Sequence, residues 1–147
     1  MTDSVNLALD KKNLDTILVL DFGSQYTQLI ARRVRELNVF SEILPWDISP
    51  ERIKALNPNG IILSGGPESV TVLNTPRVPE IVFDLEIPIL GICYGMQTLA
   101  EQFGGQVTSS KAKEFGHAEI VIEETSVLFE GFSTGSSIDV WMSHGDH

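Results

Sequence analysis

One cysteine stands in the 147 residues, at position 93. That excludes an internal disulfide and any zinc site built from several thiolates, and it fits a reducing compartment. Basic residues are scarce as well: 10 Lys and Arg against 20 Asp and Glu, for a formal net charge of −10. A broad nucleic-acid surface needs clustered positive charge, so that class is set aside. The densest basic stretch, ARRVRE from Ala31 to Glu36, reads as the solvated face of a helix. No apolar run approaches the roughly 18 residues that a membrane-spanning helix requires. The N-terminus, MTDSVNLALDKKNLD, has no long apolar core behind a basic start, so no signal peptide is expected. Residues 1–16 read as an N-terminal extension, and the chain as cytoplasmic. There is no internal repeat and no low-complexity tract.

What is present is an ordinary globular composition, 42% hydrophobic, in a chain long enough for one domain with its own core over residues 17–147. Four short runs rich in Ile, Val and Leu read as strands covered on both faces: TILVL ending at Leu20, SEIL at Leu44, GIIL at Leu63 and IPILGI at Ile92. Helical spacing lies between them. Tyr26, Leu29, Ile30, Val34 and Leu37 recur at intervals of three and four. Ser49 and Pro50 form a start signal ahead of Ile53 and Leu56. RVPEIVFDL is a weaker candidate. Met96, Leu99, Ala100 and Phe103 share a stripe that Gly104 and Gly105 terminate. Alternating strand and helix predicts a doubly wound α/β fold, mostly parallel, with helices on both faces. Further on, AEIVIEE reads as a strand and GFSTGSSID as a loop. VWMSHGDH ends on a Gly-Asp turn signal with no closing element, as if the fold were truncated at its C-terminal end.

In such sheets the site lies beyond the carboxyl ends of the strands. Three unusual turns fall there. Gly91-Ile92-Cys93-Tyr94-Gly95 has the pattern of a nucleophile elbow with cysteine in place of serine. The turn predicts a strained Cys93 at a helix N-terminus, where the helix dipole favours the thiolate. The Tyr94 N–H is then free to face a developing oxyanion, and Gln97 returns to the cysteine's side of the helix. A small buried thiol is the plainer alternative for Cys93, which the flanking glycines argue against. Ser64-Gly65-Gly66-Pro67-Glu68 reads as the second half of an oxyanion hole, against the alternative of a tight connection. Asp21-Phe22-Gly23-Ser24-Gln25 is either a substrate-holding turn or an ordinary strand-to-helix turn with Ser24 as N-cap. Of the three histidines, His117 is expected in a turn, His144 in the sequence MSHGD is a candidate to line the cleft, and His147 is terminal. None has a base motif with an orienting carboxylate.

LDFGSQYTQLIARRVREL, GIILSGGPESV, GICYGMQTLAEQFGG, EFGHAEI and VWMSHGD together resemble the class I, triad-type glutamine amidotransferase domains, in the branch found in GMP synthases. The match runs from about Ile17 to Asp146 and implies a flavodoxin-like fold. It implies that Cys93 attacks the side-chain amide of L-glutamine and that the N–H groups of Gly66 and Tyr94 form the oxyanion hole. It further implies that Gln97, with the backbone of Ser143, His144 and Gly145, holds the substrate. No cofactor or metal is expected in this domain. ATP and Mg²⁺ belong to a synthetase domain outside this chain, which uses the ammonia to convert XMP to GMP, with a homodimer formed through those further regions. The family's catalytic His and Glu lie in a His-Pro-Glu motif beyond VWMSHGD. The chain is therefore expected to be a fragment, nearly inactive alone. A γ-glutamyl hydrolase-like enzyme, a catalytically inactive binding module and a nucleotide binder using the DFGS and SGGPES turns are the competing readings.

Overall fold

A computed structural model describes residues 15–67 and 69–146; the side chains of residues 109–114 and 143–146 lie outside that description. Most of the expected N-terminal extension, Glu68 and His147 therefore fall outside the described residues. The chain forms two units, divided between Thr108 and Ser109.

The first unit alternates strand and helix: β1 (Thr16–Asp21), α1 (Thr27–Glu36), β2 (Phe40–Pro45), α2 (Pro50–Leu56), β3 (Gly60–Leu63), α3 (Glu80–Asp84), β4 (Ile89–Gly91) and α4 (Tyr94–Gln102). The four strands form one parallel sheet in the order β2-β1-β3-β4. Right-handed crossovers in that order put α1 on one face and α2 and α3 on the other. Leu18, Val19 and Leu20 of β1 are all fully buried. Only a central strand covered on both faces buries consecutive residues in this way. The core gathers Leu18, Leu20, Phe22, Leu44, Ile53, Leu63, Val82 and Tyr94. Each large apolar side chain so enclosed contributes about 1.5–3 kcal/mol.

Local signals explain the helix ends. Ser49 caps α2 by accepting from the Arg52 N–H at 3.3 Å, with Pro50 at the first helical position. At the end of α4, Gly105 N–H reaches Ala100 O at 2.7 Å and Gly104 N–H reaches Glu101 O at 3.0 Å. Gly104 has φ +85°. This is the six-to-one and five-to-two pairing of a Schellman motif.

Two helix faces differ from expectation. In α1 the inward residues are Thr27 and Ala31, while Tyr26, Leu29 and Leu37 are exposed. Small residues on the inner face let the helix lie close to the sheet, where Ser41 Oγ donates to Ala31 O at 2.8 Å. In α4 the buried set is Tyr94, Gly95, Gln97 and Thr98, and Met96 and Phe103 are exposed. The helix turns that face inward because it approaches β3 at Gly95. Phe103 still packs edge-on against Phe83, with ring centroids 5.0 Å apart.

The second unit is an antiparallel ribbon of β5 (Ser109–Val121) and β6 (Ser137–Asp146), with a 3₁₀ turn at Val127–Phe129 in the connection. The expected strand at AEIVIEE lies mostly within β5, and residues 131–136 of the expected loop are irregular. VWMSHGD is not a terminal turn: residues 140–146 belong to β6, which pairs with β5. The turn signal of Gly145-Asp146 is overridden because ladder pairing satisfies the backbone of an extended segment. His117 is likewise in β5, not in a turn.

Gly95→Ala should lower the unfolding free energy by about 1–3 kcal/mol. An added Cβ would lie 2.5 Å from Leu63 O, a backbone atom that cannot swing aside. A urea midpoint that falls at unchanged slope would report the loss; an unchanged midpoint would remove this contact from the account.

Candidate functional site

Parallel strands put the ends of β1, β3 and β4 on one edge of the sheet, and the turns that follow meet there. Ser64 is fully buried at the junction. Its Oγ accepts from the Phe22 N–H at 3.0 Å, and its own N–H reaches Leu20 O at 3.0 Å. The Ile92 N–H reaches Leu63 O at 3.0 Å. Gly65 is the point of closest assembly: a Cβ built there would lie 3.4 Å from Cys93 Cβ and 3.7 Å from Ser24 Oγ. Gly66 presses against the Phe22 carbonyl, leaving no room for a side chain. Residues 21–26, 64–67 and 91–95 thus form one constellation, as their spacing in the sequence predicts.

Cys93 stands at the β4–α4 junction with φ 50° and ψ −114°. Backbone strain of this kind costs about 1–3 kcal/mol in a residue other than glycine. Its neighbours hold it there. Cys93 O accepts the Gln97 N–H at 3.0 Å, and Ile92 O accepts the Gly95 N–H at 3.0 Å. A Cβ on Gly91 would lie 2.7 Å from Met96 Cα, so only glycine lets the strand pass the helix. The N–H groups of Gly66 and Tyr94 donate to no acceptor among the described residues. Gln97 is buried, one helical turn from Cys93. Burial pushes the half-buried Cys93 thiol above its ordinary value, against the pull of the helix N-terminus. Burial thus works against the thiolate that the helix end favours.

The first turn is largely self-satisfied. Asp21 Oδ1 accepts from the Gly23 N–H at 2.8 Å and from Thr27 Oγ1 at 3.0 Å. Ser24 is not the N-cap, which is Tyr26; Ser24 Oγ accepts from the Tyr26 N–H at 3.0 Å just ahead of the helix. That pattern favours an ordinary strand-to-helix turn for this segment.

Sequence reasoning missed the supports of Tyr94. Its ring is buried, 5.6 Å from that of Phe22, and its hydroxyl donates to Pro76 O and accepts from Arg77 Nη1 at 3.1 Å. Nothing local in NTPRVPE announces this; the only signal is an arginine between two prolines. The backbones of Ser143 and His144 pair with Phe115 and Glu114, and Gly145 follows in β6; the side chains of all three lie outside the described residues. His117 Nε2 does have a carboxylate partner, Asp139 Oδ1 at 2.8 Å, but both side chains are well exposed. Among the described residues no cluster of three or more His, Cys, Asp or Glu is placed to hold a metal, and no helix is long and apolar enough to cross a membrane.

The family model for class-I glutamine amidotransferases matches residues 18–147. A GMP synthase (glutamine-hydrolysing) of Photorhabdus laumondii is 56% identical over 136 residues, 88% of this chain and 26% of that protein. The corresponding enzyme of Colwellia psychrerythraea is 59% identical over the same shares. The chain thus spans about a quarter of the length of these curated relatives. Among solved structures, a putative GMP synthase subunit from Thermoplasma acidophilum superposes with TM-score 0.75 at 30% identity, over 91% of this chain and 66% of that one. A glutamine amidotransferase of Methylobacillus flagellatus shares the fold, with TM-score 0.66 at 21% identity over 90% of this chain and 55% of that one.

Because burial disfavours the thiolate, alkylation of Cys93 by iodoacetamide should accelerate with rising pH through a midpoint above the ordinary thiol value of about 8.5. At neutral pH the rate should fall below that of an unstructured cysteine peptide. A midpoint below the ordinary value would mean that the helix end outweighs desolvation.

Proposed function

The chain belongs to the class-I glutamine amidotransferase family, and on that premise we propose that it is the glutamine-hydrolysing part of a GMP synthase. The observation that supports this most is Cys93 at φ 50° on a strand-to-helix junction, with Gly65 packed against its Cβ. Cys93 Sγ attacks the side-chain amide carbon of L-glutamine. The N–H groups of Gly66 and Tyr94 receive the oxygen as it gains negative charge. The C–N bond then breaks, nitrogen leaves with a proton as ammonia, and a γ-glutamyl thioester remains. Water cleaves the thioester to glutamate and restores the thiol. Gln97, Ser143, His144 and Gly145 hold the substrate.

A neutral thiol needs a base to take its proton as it attacks. The 147 residues contain no His-Pro-Glu segment. The base is therefore assigned to polypeptide outside this chain, and the chain alone should turn over slowly. Ammonia passes to a synthetase domain, also outside this chain, where ATP and Mg²⁺ support amination of XMP to GMP. A cytoplasmic homodimer completes the reading.

One set of steady-state assays tests it. In the full-length polypeptide Cys93→Ala should abolish glutamine-dependent GMP formation and leave ammonia-dependent formation intact. Gln97→Ala should weaken glutamine binding by about 1–3 kcal/mol, seen in KM, because a buried hydrogen-bonding group is lost. The 147-residue chain, assayed for ammonia release, should be slower by about 10²–10⁴. Glutamine use that survives Cys93→Ala would overturn the mechanism, and preferential cleavage of other γ-glutamyl compounds would favour a γ-glutamyl hydrolase.

A further inference from the structure

The two N–H groups assigned to the oxyanion hole sit on separate segments. Gly66 opens the long connection from β3 to α3, and Tyr94 opens α4. Their spacing must be held by something outside the hole itself.

One side chain ties the two segments. Arg77 Nη2 donates to Val70 O at 2.9 Å, four residues beyond Gly66, and to Glu101 Oε1 of α4 at 3.2 Å. Arg77 Nη1 donates to Tyr94 Oη at 3.1 Å and to Thr75 Oγ1 at 2.6 Å. The tie is doubled one residue on. Gln102 of α4 pairs its side-chain amide with the Val78 backbone, accepting from N–H at 2.9 Å and donating to O at 3.0 Å. Val70 and Val78 are themselves in the core, so the segment between them has fixed ends.

Charge alone does not account for Arg77. Its pair with Glu101 is about one-third exposed on each side (33% and 39%), and pairs of that kind add little to stability. The fork geometry is what the site uses: a guanidinium reaches a hydroxyl, a carbonyl and a carboxylate at once, and an ammonium cannot. Tyr94 is the receiving end. Its hydroxyl is locked by Arg77 and Pro76, its ring by Phe22, and its own N–H faces the reacting oxygen in the proposed mechanism.

We propose that Arg77 is a positioning residue that sets the spacing between the Gly66 and Tyr94 N–H groups, acting through the Tyr94 hydroxyl and the Val70 carbonyl. This rests on the amidotransferase reading and adds a residue to it. An oxyanion hole works only when both donors reach the oxygen in the transition state, so a small shift of one donor reduces kcat without weakening ground-state binding.

The test compares Arg77→Gln, Arg77→Lys and Tyr94→Phe in the full-length polypeptide. Glutamine hydrolysis is measured beside alkylation of Cys93 by iodoacetamide. Alkylation displaces iodide at a saturated carbon and forms no oxyanion, so it reads thiol access and ionisation alone. Arg77→Gln should lower kcat for glutamine by about 10–100-fold with KM changed by less than about twofold. The alkylation rate and ammonia-dependent synthesis should stay within about twofold of the unsubstituted polypeptide. Arg77→Lys should keep the pairing with Glu101 but not restore kcat. Tyr94→Phe should share the kcat loss, and Arg77→Gln added to it should cost little more. An unchanged kcat in Arg77→Gln, full rescue by Arg77→Lys, or an alkylation rate that falls in step with kcat would overturn the positioning role. If the unsubstituted polypeptide releases no ammonia from glutamine, the amidotransferase reading itself fails and the role falls with it.

Discussion

Helix α4 lies so close to β3 that Leu63 O occupies the space where a side chain on residue 95 would be. The site depends on that approach. It brings the first turn of α4 against the end of the sheet, so the chain must reverse within Ile92 and Cys93. Cys93 takes φ 50° as the result. The strain, about 1–3 kcal/mol, is of the size that one buried aromatic offsets. Tyr94, the next residue, supplies such burial with its ring against Phe22. The awkward geometry of Cys93 and the core's packing are one arrangement seen from two sides.

The same arrangement sets the electrostatics. Packing that shapes the turn also removes water from Cys93, and desolvation raises the thiol above its ordinary value. The helix end pulls the other way, with the pull expected of roughly half a unit charge at its first turn. Burial therefore favours the neutral form of the Cys93 thiol. In the proposed mechanism its reactivity is tied to the arrival of a base and of a substrate oxygen for the Gly66 and Tyr94 N–H groups to receive.

Much of this is legible in the sequence. Continuous Ile, Val and Leu runs mark the four strands, and their spacing places the three turns on one edge. Burial on both faces holds for the central β1, while β2 and β4, at the sheet edges, are only partly buried and Leu90 is exposed. Gly91, Cys93 and Gly95 declare the elbow because only small neighbours permit it. Helical periodicity reveals α1 and α4 but not their orientation. Hydrophobic spacing favours Met96 and Phe103 as the inner face of α4, yet backbone approach at Gly95 selects Gln97 and Thr98. The Gly-Asp signal near residue 146 is misleading because antiparallel pairing is a long-range effect. Arg77 is invisible for the same reason: its partners at Tyr94 and Glu101 are 17 and 24 residues away. Thiol ionisation is hidden too, since it follows from burial and not from neighbouring residue types.

The central claim is that Cys93 is held to receive a glutamine side chain. The most direct measurement is covalent labelling of the full-length polypeptide with the glutamine mimic diazo-oxo-norleucine, read by peptide mass mapping. The account predicts a single adduct on Cys93, prevented by excess glutamine and slowed by Gln97→Ala. Labelling at another residue, or labelling of Cys93 that glutamine does not compete with, would contradict it.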